Sequence, residues 1–193
     1  MLDTIIRFFQ EGGTFMMPIA IVLVFGLAIA IERIIYLLKE SQKNKKSLRT
    51  IDPLLSQSDF SAIAKLADNS VVSNVLVSGV QSWQRQQDKE QTESVMEERL
   101  MEAVPRLEKR TPYLATLANI ATLLGLLGTI IGLIAAFSAV ANADPAEKAS
   151  LLSQSISVAM NTTAFGLISA IPLLLLHSLL QTKTAEIVDN LDV

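Results

Sequence analysis

Apolar residues run without any charged side chain through three long stretches of this chain, at 12–31, 111–143 and 149–182. A membrane-spanning helix needs about 20 apolar residues, since each residue adds about 1.5 Å along the axis. The first stretch just meets this length. The other two form helices of about 50 Å, which must tilt or protrude from a bilayer. The pattern predicts three transmembrane helices, with the third bent at Pro172, which lacks a backbone donor.

Basic residues are concentrated on one side of the predicted spans. They follow the first span, precede the second and follow the third: Lys39, Lys43, Lys45, Lys46, Arg49, Arg106, Lys109, Arg110 and Lys183. The short loop between the second and third spans has only Lys148 against Asp144 and Glu147. Because basic loops stay on the cytoplasmic side, we expect the N-terminus outside and both the middle segment and the C-terminus in the cytoplasm.

The remaining segments also have helical spacing. The first 13 residues predict an interfacial helix that ends at Gly12-Gly13. In the polar middle, Asp52-Pro53 predicts a helix start. Glu90–Arg110 is expected to run directly into the second span, with kinks at Pro105 and Pro112. The sequence thus predicts an all-α membrane protein whose long second and third helices extend into a cytoplasmic helical region. Its segments are a periplasmic interfacial helix (1–13), span 1 (14–38), a cytoplasmic helical region (39–110), span 2 (111–142), a periplasmic loop (143–149), span 3 (150–182) and a cytoplasmic tail (183–193).

Small and polar residues share one face of each long span. On the second span they are Asn119, Thr122, Gly125, Thr129, Gly132 and Ala136; on the third they are Ser155, Ala159, Thr163, Gly166 and Ala170. Glycine weakens a helix interior by about 1 kcal/mol relative to alanine, but it lets two membrane helices approach closely. The predicted packing residues are Gly125, Gly128, Gly132, Gly166 and Pro172.

Two interpretations of these faces stay open. The first is that they only pack helices. The second is that they also form a polar seam that an ion can use. The candidate residues of this ion pathway are Thr122, Thr129, Asn161, Thr162 and Thr163. Spacing alone does not separate the two interpretations.

Composition removes most other functions. Half of the residues are hydrophobic and 18% are charged, which is typical of a membrane protein in contact with lipid. The sequence has no cysteine, no metal-ligand spacing, no cofactor loop and no nucleophile–base pair, so we expect neither an enzyme nor a bound metal or cofactor. The formal net charge of −3 argues against nucleic acid as a partner.

Neither long span contains Asp, Glu, Lys or Arg, although ion pathways usually need an ionisable group within the membrane. His177 is the one titratable candidate there, and its place near the cytoplasmic end favours an interfacial or packing role. If the chain conducts ions, another chain must supply the carboxylate.

Two segments carry a family resemblance. "PYLATLANIATLLGLLGTIIGLIAAF" and "SISVAMNTTAFGLISAIPLLLLHSLL" resemble the MotA/TolQ/ExbB family of ion-channel subunits, and "FFQEGGTFMMPIAI" and "IERIIYLL" are similar to short ExbB-type members. The resemblance implies a homopentamer that surrounds the single transmembrane helices of an ExbD- or TolR-like dimer. That partner carries a membrane aspartate, which Thr129 and Thr163 would face.

The resemblance also concerns the ion and the driven process. Many relatives carry a glutamate five residues before the second threonine, where this chain has Val158. The coupling ion is therefore expected to be H⁺ or Na⁺. The expected function is that of an ion-conducting subunit in the bacterial inner membrane that energises a periplasmic or outer-membrane process, such as import through a TonB-like protein. The alternatives are a stator for flagellar or gliding motility and a purely structural membrane scaffold.

Overall fold

The computed structural model describes residues 12–57, 59–66, 70–86, 88–141 and 143–190. The six helices among these residues are α1 (Met16–Ser56), α2 (Phe60–Ala64), α3 (Val71–Gln86), α4 (Lys89–Glu108), α5 (Thr111–Ala141) and α6 (Lys148–Asp189). No strand occurs in the described ranges. Three helical segments are long and apolar enough to cross a membrane: Met16–Ser56, Lys89–Ala141 and Lys148–Asp189. The prediction of an all-helical protein with three candidate spans is confirmed. The predicted interfacial helix falls almost wholly on residues 1–11, which lie outside the described residues.

The chain divides into two units. The first, here called the apolar unit, contains the chain as far as Ile31 together with Thr111–Ser178; the second, here called the polar unit, contains Glu32–Arg110 and the chain from Leu179 onwards. Each unit has its own packing, so each is described separately.

In the apolar unit, α1 begins after a turn that only glycine enters easily. Gly13 has a φ of 74°, and the Met16 N–H donates to its carbonyl at 3.3 Å. From there α1 presents a continuous exposed stripe of large apolar side chains: Met17, Ile21, Val24, Phe25 and Ile31. The opposite face contacts α6, since a Cβ added to Gly26 would lie 2.6 Å from a Leu173 methyl. The exposed stripe is the surface expected of a helix in contact with lipid.

In the polar unit, α1 continues through Pro53 to Ser56, so the predicted helix start at Asp52-Pro53 is wrong. Proline removes one helical hydrogen bond. That loss is offset by burial, because Ile51 is only 1% exposed and packs with Ile63, Val72 and Val80.

Three buried polar side chains of α1 explain why α3 begins where it does. Glu40 accepts a hydrogen bond from the Val71 N–H at 3.3 Å, and Asn44 accepts one from the Val72 N–H at 3.5 Å. The Ser47 hydroxyl accepts from the Ser70 hydroxyl at 2.7 Å. The first N–H groups of a helix have no partner within that helix, so α1 supplies acceptors for them.

The prediction that α4 runs directly into α5 is wrong, although the break lies next to Pro112, one of the two predicted kinks. Helix α4 ends at Glu108, Arg110 has a φ of 67°, and α5 starts at Thr111. The physical reason is Pro112, which has no N–H for the Glu108 carbonyl and fits the first turn of a new helix.

Arg33 of α1 supplies the missing donors at this break. It is 2% exposed, and its guanidinium donates to the Leu107 carbonyl and, at 3.4 Å, to the Arg106 carbonyl. The same guanidinium lies 4.5 Å from the ring centroid of Tyr36. Beside it, Glu32 pairs with Arg110 at 3.0 Å. A buried cation thus satisfies the last carbonyls of α4, where the helix dipole also favours positive charge.

Candidate functional site in the apolar unit

Helices α5 and α6 touch through their backbones at Gly125 and Gly166. A Cβ added to Gly166 would lie 2.8 Å from the Ala121 carbonyl oxygen and 3.0 Å from the Gly125 Cα. A Cβ added to Gly125 would lie 3.3 Å from the Cα atoms of Gly166 and Thr163. No side chain separates the two helices at this level.

The contact continues along α5 through two more glycines. A Cβ on Gly132 would lie 2.9 Å from the Ala159 Cβ, and one on Gly128 would overlap the Thr162 side chain and approach the Phe15 Cβ to 3.2 Å. Pro172 lies elsewhere, because its side chain is exposed in the single chain. All four glycines therefore meet neighbouring atoms of the same chain.

Thr129 and Thr163 lie on one edge of this contact, and both are half-buried. Their hydroxyl oxygens are hydrogen-bonded to each other. The Thr163 hydroxyl also lies 2.9 Å from the Gly125 carbonyl, and the Thr129 hydroxyl lies 3.2 Å from that carbonyl and 3.3 Å from the Ala159 carbonyl. We call these two hydroxyls and two carbonyls the oxygen cluster. It places four oxygens together in a contact that is otherwise apolar.

The other three candidate pathway residues make no hydrogen bond to the oxygen cluster in the described part of the chain. Thr162 is 2% exposed, and its hydroxyl donates to the Gly12 carbonyl at 2.6 Å, with the Val158 carbonyl at 3.0 Å. The Thr122 hydroxyl donates at 3.1 Å to the Ala118 carbonyl of its own helix. Asn161 is half-buried. The geometry thus brings two of the five candidates together.

The two carbonyls of the oxygen cluster were missed by sequence reasoning, which considers side chains. A signal for them was present, since Gly125 and Ala159 both belong to the small-residue faces and a small residue exposes its backbone. Val158 lies beside the N-terminal turn, with its Cγ1 3.2 Å from the position of a Cβ on Gly13. His177 donates from Nδ1 to the Thr111 carbonyl at 3.0 Å in the tautomer that leaves Nε2 unprotonated.

The chemistry available at the oxygen cluster is that of neutral oxygens. Hydroxyl and carbonyl oxygens are ligands that hard cations accept, and hydroxyls can also relay a proton through hydrogen bonds. Within the described ranges, no group of three or more His, Cys, Asp or Glu side chains could hold a metal ion. The cluster therefore offers neutral oxygens only and holds no carboxylate to bind a proton.

Comparison with known sequences identifies the family. The MotA/TolQ/ExbB proton channel family matches residues 67–193, which include α5, α6 and the whole oxygen cluster. The chain belongs to this family. A protein of Methanothermobacter thermautotrophicus described as an ExbB homologue in biopolymer transport is 27% identical over 194 aligned positions, covering 98% of this chain and 67% of the relative.

Membership settles the broad class. The protein is a multi-pass membrane protein of a proton channel family, which implies coupling to H⁺. The family is one of transport proteins rather than enzymes.

Proposed function

We propose that this chain is the ion-conducting subunit of an ExbB/ExbD- or TolQ/TolR-like motor in the bacterial inner membrane. It uses the proton motive force to energise a periplasmic or outer-membrane process such as TonB-dependent import. The observation that carries this proposal is the oxygen cluster, formed where glycines bring α5 and α6 into backbone contact. A helix contact needs no hydroxyl pair in order to pack, whereas a cation crossing an apolar region needs oxygens.

The partner in this proposal completes the site. A conducting pathway through the membrane usually contains an ionisable group, and α5 and the membrane part of α6 have none apart from His177. An ExbD- or TolR-like dimer with one aspartate per transmembrane helix would supply it. The half-buried Thr129 and Thr163 would then face that aspartate, with H⁺ as the favoured ion and Na⁺ as the alternative.

We also propose that the chain forms a homopentamer with α5 and α6 towards the centre and α1 towards lipid, with the N-terminus outside and the C-terminus in the cytoplasm. The exposed apolar stripe of α1 supports this arrangement, as do the large exposed apolar side chains of α5, such as Leu123, Ile130 and Phe137, each above half exposed. Such faces need lipid or a second copy to cover them.

The proposed homopentamer has a mass that can be measured directly. Native mass spectrometry of the detergent-solubilised complex is expected to show five copies of the 21.0 kDa chain. The spectrum should keep this stoichiometry across several detergents and protein concentrations. A stable monomer throughout that series would contradict the ring.

Removing either hydroxyl of the oxygen cluster tests the ion pathway. We expect Thr129→Val and Thr163→Val to assemble normally and to lose most ion flux in proteoliposomes that also contain an ExbD-like partner, because valine keeps the shape and deletes the oxygen. Thr116→Val is the matched control, since Thr116 is not a candidate pathway residue and its hydroxyl donates to the Pro112 carbonyl of its own helix at 3.4 Å.

The same vesicles identify the ion. Flux that persists without sodium and collapses when a protonophore dissipates the gradient supports H⁺, whereas flux that requires sodium supports Na⁺. If both cluster variants conduct like the Thr116→Val control, the threonines only pack helices and the pathway assignment fails.

A further inference from the structure

Asn119 is an exposed polar residue in the apolar part of α5. Its carboxamide makes no hydrogen bond to any residue that the structure describes. Across residues 117–137 of α5 the other exposed side chains are all apolar, and they include Leu123 and Ile130. A carboxamide in such a surface costs free energy unless a partner takes its hydrogen bonds.

Pro172 leaves a backbone acceptor without its donor on α6. It lies inside this helix and has no N–H, so the Ile168 carbonyl lacks its usual helical partner. Ile168 and Pro172 are one turn apart on the same face, and both are exposed, Ile168 at 59%. The carbonyl between them therefore lies on an outer face of the apolar unit, where a donor from another chain can reach it.

The carboxamide and this carbonyl lie at the same depth. A Cβ added to Gly166 would lie 2.8 Å from the Ala121 carbonyl oxygen, so these two residues are level with each other. Asn119 lies two residues from Ala121 towards the start of α5, and Ile168 lies two residues from Gly166 towards the end of α6. Because the two helices run in opposite directions, both steps go the same way, by about 3 Å.

This level falls inside the hydrocarbon core of a bilayer. Asn119 is about 12 Å from the middle of the second apolar stretch, 111–143, and Ile168 is about 4 Å from the middle of the third, 149–182. The core extends about 15 Å to each side of its own middle, and it contains no water to satisfy polar groups. Both groups therefore need a partner that is protein.

We propose that the Asn119 carboxamide of one copy donates a hydrogen bond to the Ile168 carbonyl of a neighbouring copy. This proposal rests on the homopentamer of the proposed function. In a ring, each copy offers one surface to the preceding copy and a different surface to the next, so every donor meets an acceptor. A dimeric partner brings two helices, which are too few to pair with every carboxamide of a pentamer.

Crosslinking tests whether the two residues face each other across copies. The chain has no cysteine, so the full-length variant Asn119→Cys with Ile168→Cys contains only the two introduced thiols. A short bis-maleimide added to the detergent-solubilised complex is expected to give a ladder of covalent multimers on a denaturing gel. A link inside one chain would leave the band of a single copy. Ile131→Cys with Ile168→Cys is the matched control, because Ile131 is also exposed but lies about 18 Å further along α5.

A second set of variants tests the hydrogen bond itself. Asn119→Leu should weaken the association of neighbouring copies about threefold per contact, the average effect of a hydrogen bond between membrane helices. Pro172→Ala gives the Ile168 carbonyl a helical N–H again, so Asn119→Leu should have little effect when it is added to Pro172→Ala. Native mass spectrometry across a dilution series measures the association.

The outcomes separate this contact from the ring as a whole. An intact ring without the ladder, or an equal ladder from the control pair, would overturn the contact and leave the proposed function standing. Unchanged or tighter association in Asn119→Leu would mean that Asn119 faces lipid, and an equal loss with and without Pro172→Ala would exclude the Ile168 carbonyl as the acceptor. A monomer at every concentration of the natural chain would overturn the ring and the contact together.

Discussion

Replacing Gly166 by alanine is expected to destabilise the subunit by about 3 kcal/mol or more, the upper range for overpacking. The added methyl group would lie 2.8 Å from the Ala121 carbonyl oxygen and 3.0 Å from the Gly125 Cα. Both are backbone atoms, so neither can rotate away. Helices α5 and α6 must then separate, which would also pull Thr163 away from the Gly125 carbonyl.

The chain offers a matched control for this effect. Gly79→Ala adds the same methyl group at a distance of 2.5 Å from the Met96 Sδ. Met96 is a flexible and only half-buried side chain, so a change of rotamer relieves the clash, and we expect a cost of about 1 kcal/mol. The midpoint of thermal unfolding is measured for both variants in one detergent, with the loss of the monodisperse complex as the signal. Equal midpoints would contradict the backbone contact between α5 and α6.

The glycine faces show how far sequence alone reaches. The spacing of Gly125, Thr129 and Gly132 follows the helical period, so the side of α5 that meets α6 could be predicted from it. The pairing of Thr129 with Thr163 was predictable as a shared polar face, but its bonding was not. The two carbonyls of the oxygen cluster have no signature in residue types.

Thr162 and Thr163 show a limit of another kind. They are adjacent in the sequence, and both were assigned to the ion pathway as polar residues of one motif. Consecutive residues point about 100° apart on a helix, which is why Thr162 turns to the Gly12 carbonyl while Thr163 meets Thr129. Motif membership does not say which neighbour a side chain faces.

The break between α4 and α5 was missed for a local reason. Arginine rarely adopts a positive φ, so the sequence around Arg110 predicts a helix that is kinked at Pro105 and Pro112 but not broken. The signal that could have located the break was Pro112, which leaves the Glu108 carbonyl without a helical partner. A second signal was the pair Glu32-Arg33 within the apolar run "IERIIYLL", where two charges need a specific partner.

Arg33 now provides the second large prediction. Arg33→Met is expected to destabilise the polar unit by about 2–4 kcal/mol, because it leaves the carbonyls of Leu107 and Arg106 without their buried donor. Methionine fills most of the volume and keeps contact with Tyr36, so lost packing contributes little. An opposing term exists, since burying a guanidinium costs solvation, and the Arg33 Nε has no partner in the described residues. We expect the loss of the two carbonyl hydrogen bonds to outweigh the solvation cost that the variant avoids, so Arg33→Met lowers the free energy of unfolding. The α4 dipole adds to this loss, because it favours a cation at this end of the helix.

The variant Glu32→Gln removes only the neighbouring ion pair, so it shows how much that pair contributes compared with the buried Arg33 contact. Glu32 and Arg110 are 43% and 49% exposed, and an exposed pair contributes about 0–1 kcal/mol. Hydrogen exchange of the peptide that covers α4 and the break should therefore rise strongly in Arg33→Met and hardly change in Glu32→Gln. Equal exchange in the two variants would contradict the larger role of the buried contact. Hydrogen exchange in Arg33→Lys should fall between that of the two variants. One ammonium group keeps the charge but cannot reproduce the planar guanidinium that reaches both carbonyls.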